Sequence, residues 1–123
     1  MDFEEITIRE IFSAKALNPG QSVESQAVDL GAICRNGIFS IQYAITGDGI
    51  LKIEYLLSLN RVVYITPSTA REIASGLTKA SGPNEDGVDI LSFEPELARW
   101  IKIRVTETTG TSGAGISLQM AVQ

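Results

Sequence analysis

The sequence predicts an all-β fold: an antiparallel β-sandwich, jelly-roll-like, of about eight strands with at most one short helix. Three observations carry that expectation. Apolar and polar residues alternate with a period of two through the middle and the C-terminal third, as strands with one buried face require. Turn formers break these runs at short intervals, among them Asn18-Pro19-Gly20, Asn36-Gly37 and the stretch from Ser81 to Gly87. The 123 residues suit one domain spanning 1–123, long enough to bury a core without disulfides or a metal.

Taken in order, weaker strands are expected at 6–13 and 26–30. From Gly37, Phe39, Ile41, Tyr43 and Ile45 share one face while Ser40, Gln42 and Thr46 fall between them. Thr46-Gly47-Asp48-Gly49 then reads as a tight hairpin, with glycine supplying positive φ. The return strand places Leu51, Ile53, Tyr55 and Leu57 together, so a two-stranded meander is expected here. Further strands are expected at 61–66 and 88–93. Between them, Ala70, Ile73, Ala74 and Leu77 form a helical stripe, and Thr69 with Glu72 resembles a capping box after Pro67. One short helix over 68–77 is the reading, with an extended loop pinned by Ile73 and Leu77 as the alternative. Ile101, Ile103 and Val105 alternate with Trp100, Lys102, Arg104 and Thr106. A glycine-rich loop over 109–115 leads to Ile116, Leu118, Met120 and Val122. The core is expected to contain Phe39, Ile41, Tyr43, Ile45, Leu51, Ile53, Tyr55, Ile101, Ile103, Val105, Leu118 and Met120.

Composition narrows the function classes. There is no histidine, so no Ser-His-Asp or Cys-His pair and no histidine-containing zinc site can form. Cys34 is the lone cysteine; it fits a reducing or redox-indifferent compartment and reads as a packed residue rather than a reactive thiolate beside Arg35. A carboxylate-only hydrolase would have to draw on Asp48, Glu54, Asp86, Asp89, Glu94 and Glu96, which fall in turns or on outward positions. Asn84-Glu85-Asp86-Gly87-Val88-Asp89 gathers oxygen ligands around a glycine but lacks the spacing of a calcium loop, and reads as a polar turn. The expectation is a protein that is not an enzyme, with no cofactor, no metal and no small-molecule substrate. The formal net charge of −5 argues against nucleic acid as a partner. No window reaches the roughly 18–20 apolar residues of a membrane helix, so no membrane partner is expected. The acidic start, Met1-Asp2-Phe3-Glu4-Glu5, lacks the order of a secretion signal and reads as an arm over 1–5.

Trp100, Lys102 and Arg104 share the non-core face of a strong strand. Three readings compete for that face: intramolecular cover, a protein interface anchored by Trp and Arg, and nucleic-acid stacking. The residues singled out for protein contacts are Trp100, Lys102 and Arg104, with Thr109 and Thr111 in the loop.

Several segments, in order, resemble the short β-sandwich virion structural proteins of tailed bacteriophages. They are Ala27-Val28-Asp29-Leu30-Gly31, Gly37-Ile38-Phe39-Ser40-Ile41-Gln42-Tyr43, Thr46-Gly47, Leu51-Lys52-Ile53-Glu54-Tyr55 with Ser58, Phe93-Glu94-Pro95, and the run from Ala98 to Thr106. The sequence departs from that pattern at Leu59-Asn60-Arg61, where many relatives carry an Asn-Asp-Gly turn. The resemblance covers about Gly20 to Gln123. It implies a capsid decoration protein or another head, neck or tail component, resident in the virion and assembled in the host cytoplasm. Its partners would be copies of itself and other virion proteins. The alternative from another class is a carbohydrate-binding module, for which Trp100, Tyr43, Tyr55 and Tyr64 would have to supply the aromatic platforms.

Overall fold

The alternation seen in the sequence is realised strand by strand. The computed structural model describes residues 5–67 and 72–123. Its strands are β1 (Thr7–Leu17), β2 (Ser22–Glu24), β3 (Val28–Asp29), β4 (Phe39–Gly47), β5 (Leu51–Ser58), β6 (Glu72–Leu77), β7 (Val88–Phe93), β8 (Trp100–Glu107) and β9 (Ala114–Val122). All the residues expected in the core are buried, and Ile116, Val122, Phe12, Leu17 and Leu30 join them.

Two antiparallel sheets enclose that core. The first has the order β1-β9-β4-β7, and the second β2-β8-β5-β6, with β3 also pairing β8. The pairs β1·β9, β2·β8, β4·β7 and β5·β6 are nested, each enclosing the next in sequence. That nesting, rolled into two sheets, is a jelly roll. No helix occurs among the described residues.

Three local expectations are corrected. The strands flanking Thr46-Gly47-Asp48-Gly49 do not form a hairpin: β4 pairs β7 and β9, whereas β5 pairs β6 and β8. The two strands have equally apolar inner faces, and placing them in different sheets lets both line the same core. A period of two reveals which face is buried but not which strand is the hydrogen-bonded neighbour.

Residues 61–66 form no strand beyond a single bridge between Leu57 and Ile65. Polar side chains have taken the backbone donors. Ser58 Oγ accepts from the N–H groups of Asn60 and Arg61, and Asn60 Oδ1 from those of Val62 and Val63.

The expected helix over 68–77 is, in its described part, the edge strand β6; Thr69 and Ala70 lie outside the described residues. Leu51 pairs Leu77 while Ile53 pairs Ala74, so three residues of β6 match two of β5. The bulge, with Gly76 at φ +68°, lets residues three apart serve one strand neighbour. That spacing mimics a helix.

β2 and β3 are one edge interrupted at Ser25. The Ser25 N–H donates to Ile103 O at 2.8 Å, and Ser25 Oγ accepts from Ile103 N at 3.0 Å. A buried hydroxyl thus replaces a main-chain acceptor where the edge kinks. Ser25→Ala should cost about 1–3 kcal/mol, because the Ile103 N–H is left without that acceptor. Ile103→Ala, at a fully buried site, should cost about 2–5 kcal/mol. Urea unfolding measures both; a Ser25→Ala chain as stable as the parent would show that Ile103 finds another acceptor.

Candidate functional site

The inner positions of β8 run Ile101, Ile103, Val105 and then Glu107, which is 1% exposed. An ionised carboxylate survives there only if donors surround it. Glu107 Oε1 accepts from the Thr109 hydroxyl at 2.7 Å, Gly110 N at 2.8 Å and Gly20 N at 3.2 Å. Its Oε2 accepts from Ile50 N at 2.9 Å and Thr109 N at 3.0 Å. One side chain therefore ties the β1–β2 turn, the β4–β5 crossover and the β8–β9 loop together at one end of the sandwich. Gly49 is required beside it: a Cβ there would lie 3.0 Å from Glu107 Oε2 and from Ser112 O. Gly47, at φ +86°, would place a Cβ 2.9 Å from Gly113 O. Burial pushes the Glu107 carboxyl up, but the bonds from Thr109, Ile50 and Gly110 outweigh it and hold the group at about 2.

The residues expected to make contacts fall in two places. Thr109 and Thr111 belong to this knotted loop. The Thr109 hydroxyl donates to Glu107 and accepts from the N–H groups of Thr111 and Ser112; Thr111 is exposed. Trp100, Lys102 and Arg104 lie together on the outer face of the second sheet, under the connection that follows β5. Arg61 and Arg99 hold their guanidinium carbons 4.7 and 5.5 Å from the Trp100 ring centroid. Lys102 Nζ stands 4.2 Å from the Tyr64 ring centroid. Arg104 donates to Glu54 Oε1 and to Thr66 Oγ1, with Glu24 within 4.0 Å. Intramolecular cover of this face is thus the observed arrangement.

Other candidate chemistry is likewise occupied. Arg99 forks onto Asp29 at 3.0 and 3.2 Å and, with the Gly31 N–H, lowers the Asp29 carboxyl below its ordinary value. Lys79 does the same for Asp48. In the 84–89 loop, Asp86 and Asp89 accept from the N–H groups of Val88 and Ile90. No group of three or more acidic or cysteine ligands is placed to hold a metal among the described residues. Cys34 is half-buried against the core. Tyr43 and Tyr55 are buried, so neither offers a sugar platform.

Sequence reasoning missed Glu107 and the exposed aliphatic surface. Leu59, Val62, Val63 and Ile65 on the β5–β6 connection, with Leu97 on the β7–β8 connection, form an apolar lip at the end opposite the knot. Beside it runs a groove of about 470 Å³, lined by Leu57, Val63, Ile65, Pro67 and Leu97 among others. The signal is present as the run Arg61-Val62-Val63-Tyr64-Ile65, which reads as a further strand.

The Glu107 carboxyl has a lower pKa folded than unfolded, where it is near the ordinary 4.5. Its stabilising contribution is therefore full above about pH 5 and is lost as pH falls towards 2. The melting temperature of the parent should drop through that window. Glu107→Gln should melt lower at neutral pH and show a flatter acid limb; a parallel acid limb would remove Glu107 from that role.

Among solved structures, the fold is similar to a chain in the structure of infectious bursal disease virus, Gx strain. The TM-score is 0.52 at 12% identity, and the likeness covers 95% of this chain and 31% of that one. This chain thus spans about a third of its neighbour's length, and at that identity the likeness is one of fold. No family model matches the sequence. No curated protein matches it either.

Proposed function

We propose that this chain is a non-enzymatic structural protein of a virus particle, a single domain that assembles through repeated subunit contacts. The observation that supports the reading best is the nested jelly-roll strand order, shared in overall fold with a chain of a virus structure. A fold alone does not fix a function. Here it is joined by large exposed aliphatic surface on a small chain, the kind of surface that marks contact sites. Within this reading the sequence resemblance favours a tailed-phage head, neck or tail component, capsid decoration above all. The partners are then further copies and other virion proteins, and the site is the virion, assembled in the host cytoplasm. The 1–5 arm, whose residues 1–4 lie outside the described residues, adds a contact in the assembled state.

Trp100, Lys102 and Arg104 serve assembly by holding the 59–67 connection in place. Thr109 and Thr111 serve it by shaping the loop at the other end. Trp100→Ala combined with Arg104→Ala should weaken assembly by loosening that connection while the core stays folded.

The direct test is to purify particles from the source on a density gradient and quantify peptides of this chain by mass spectrometry. Multiple copies per particle, co-sedimenting with the particle peak, are expected. Absence from the particle peak would sink the reading, and hits for the same chain on a glycan array would turn it towards the carbohydrate-binding alternative.

A further inference from the structure

The large aliphatic side chains left exposed among the described residues fall into two sets. One is the lip of Leu59, Val62, Val63, Ile65 and Leu97. The other is Ile6, Ile8, Val88 and Ile90, on or just ahead of β1 and β7, which bound the first sheet, with Ile38 just ahead of the central β4. In that sheet Ile8 pairs Ala121, Ile90 pairs Gln42 and Val88 pairs Ala44. These residues border the outward side chains of the two central strands: Ser40, Gln42, Ala44 and Thr46 on β4, and Gly115, Ser117, Gln119 and Ala121 on β9. None of those eight is charged. The outer face of the second sheet is the opposite case, carrying Lys52, Glu54, Lys102 and Arg104.

From this pairing of patches we infer that the lip of one copy docks on the outer face of the first sheet of a second copy, head to tail. The inference rests on the structural-protein reading above and names its partner surface. Charge selects the occupant. Copies carrying a net charge of −5 repel one another, so they approach closely only where both surfaces lack negative charge. The face has none on its central strands, with Glu10 at its β1 edge opposite Gln119. The lip carries Arg61, and the carboxylate beside its groove, Glu96, already accepts from the Tyr55 hydroxyl at 2.7 Å. A basic partner would be drawn elsewhere, to the exposed carboxylates.

Area points the same way. Four strands about 4.8 Å apart and about eight residues long present a face of roughly 500 Å². That is less than the about 800 Å² per partner of a standard interface, so a single contact is weak and becomes lasting only when repeated. The two patches lie on different sides of the sandwich, which lets each copy hold two neighbours. Contacts of this kind close into rings or run into open arrays.

The test uses the full chain with one aspartate placed in each patch. Leu97 is 98% exposed and Ile90 61% exposed, so Leu97→Asp and Ile90→Asp should melt with the parent. Val62→Asp and Ile8→Asp provide a second pair if either does not. Sedimentation velocity over a wide concentration range should show the parent growing beyond a dimer. Each variant alone should associate about tenfold more weakly or worse. An equimolar mixture should form a one-to-one complex that grows no further, because one intact lip then meets one intact face. A parent that stays monomeric, a single variant that assembles like the parent, or a mixture that stays monomeric each overturns the contact. If Ile90→Asp prevents association while Leu97→Asp associates like the parent, the face meets itself and the head-to-tail arrangement is wrong. None of these results bears on whether the chain is found in purified particles, so failure here is separable from failure of the structural-protein reading.

Discussion

An ionised carboxylate in a protein interior has to be met by hydrogen-bond donors, and the donors around Glu107 come from three loops that are far apart in sequence. Gly20, Ile50, Thr109 and Gly110 all aim N–H groups at its two oxygens. A nested jelly roll brings distant segments together at each end, and these loops flank β2, β5 and β8, which are neighbours in the second sheet. The anion supplies the common point. With it in place, Gly49 N reaches Gly113 O and Thr108 N reaches Ile50 O, so the crossover from β4 to β5 is held in the one geometry that separates them into different sheets. Thr109 is spent on this knot, and the loop is shaped rather than loose.

The parts of the fold legible in the sequence are those set by burial of one strand face. Every aliphatic and aromatic position expected inside is inside, because the alternation of Phe39 to Ile45, Leu51 to Leu57 and Ile101 to Val105 reports local geometry directly. What alternation does not report is pairing, and so it suggests a hairpin at Gly47–Gly49 where the chain makes a crossover. Ala74 and Leu77 looked helical because a bulge changes the strand period from two to three at one step. Residues 61–66 looked like a strand because hydropathy does not register Asn60 and Ser58 capturing the donors that a strand would need. The site was less legible than the fold. Trp100, Lys102 and Arg104 were rightly placed on an outward face, but their partners, Tyr64, Arg61 and Thr66, come from a connection whose path no local pattern discloses.

The two outer faces have divided between them the roles that a sheet surface can take. On the second sheet, cations and carboxylates pair with one another and with the connection laid over them, which leaves little for a partner beyond the rim. On the first, small, hydroxyl and amide side chains line the two central strands, and none of them carries a charge. The exposed aliphatics that border that face, Ile8, Val88 and Ile90, and those of the lip, Val62 and Leu97, are accounted for together if a second copy covers them.

Contact by faces is also the route that the strand edges leave open. β1 is the longest strand and bounds the first sheet, and a long regular edge invites open-ended pairing with other chains. It is not regular. The register with β9 shifts between Glu10 and Phe12 and again between Phe12 and Lys15, and Ala14 sits at φ +45°, its N–H turned to Ser117 Oγ. An approaching strand would meet donors and acceptors out of step. β2 and β3 are short and broken at Ser25, and β6 carries its own bulge. With three of the four edges blunted in this way, a second copy gains most by laying apolar side chains on a sheet whose central strands carry no charge, and association of that kind depends on the shape of two patches rather than on exposed backbone.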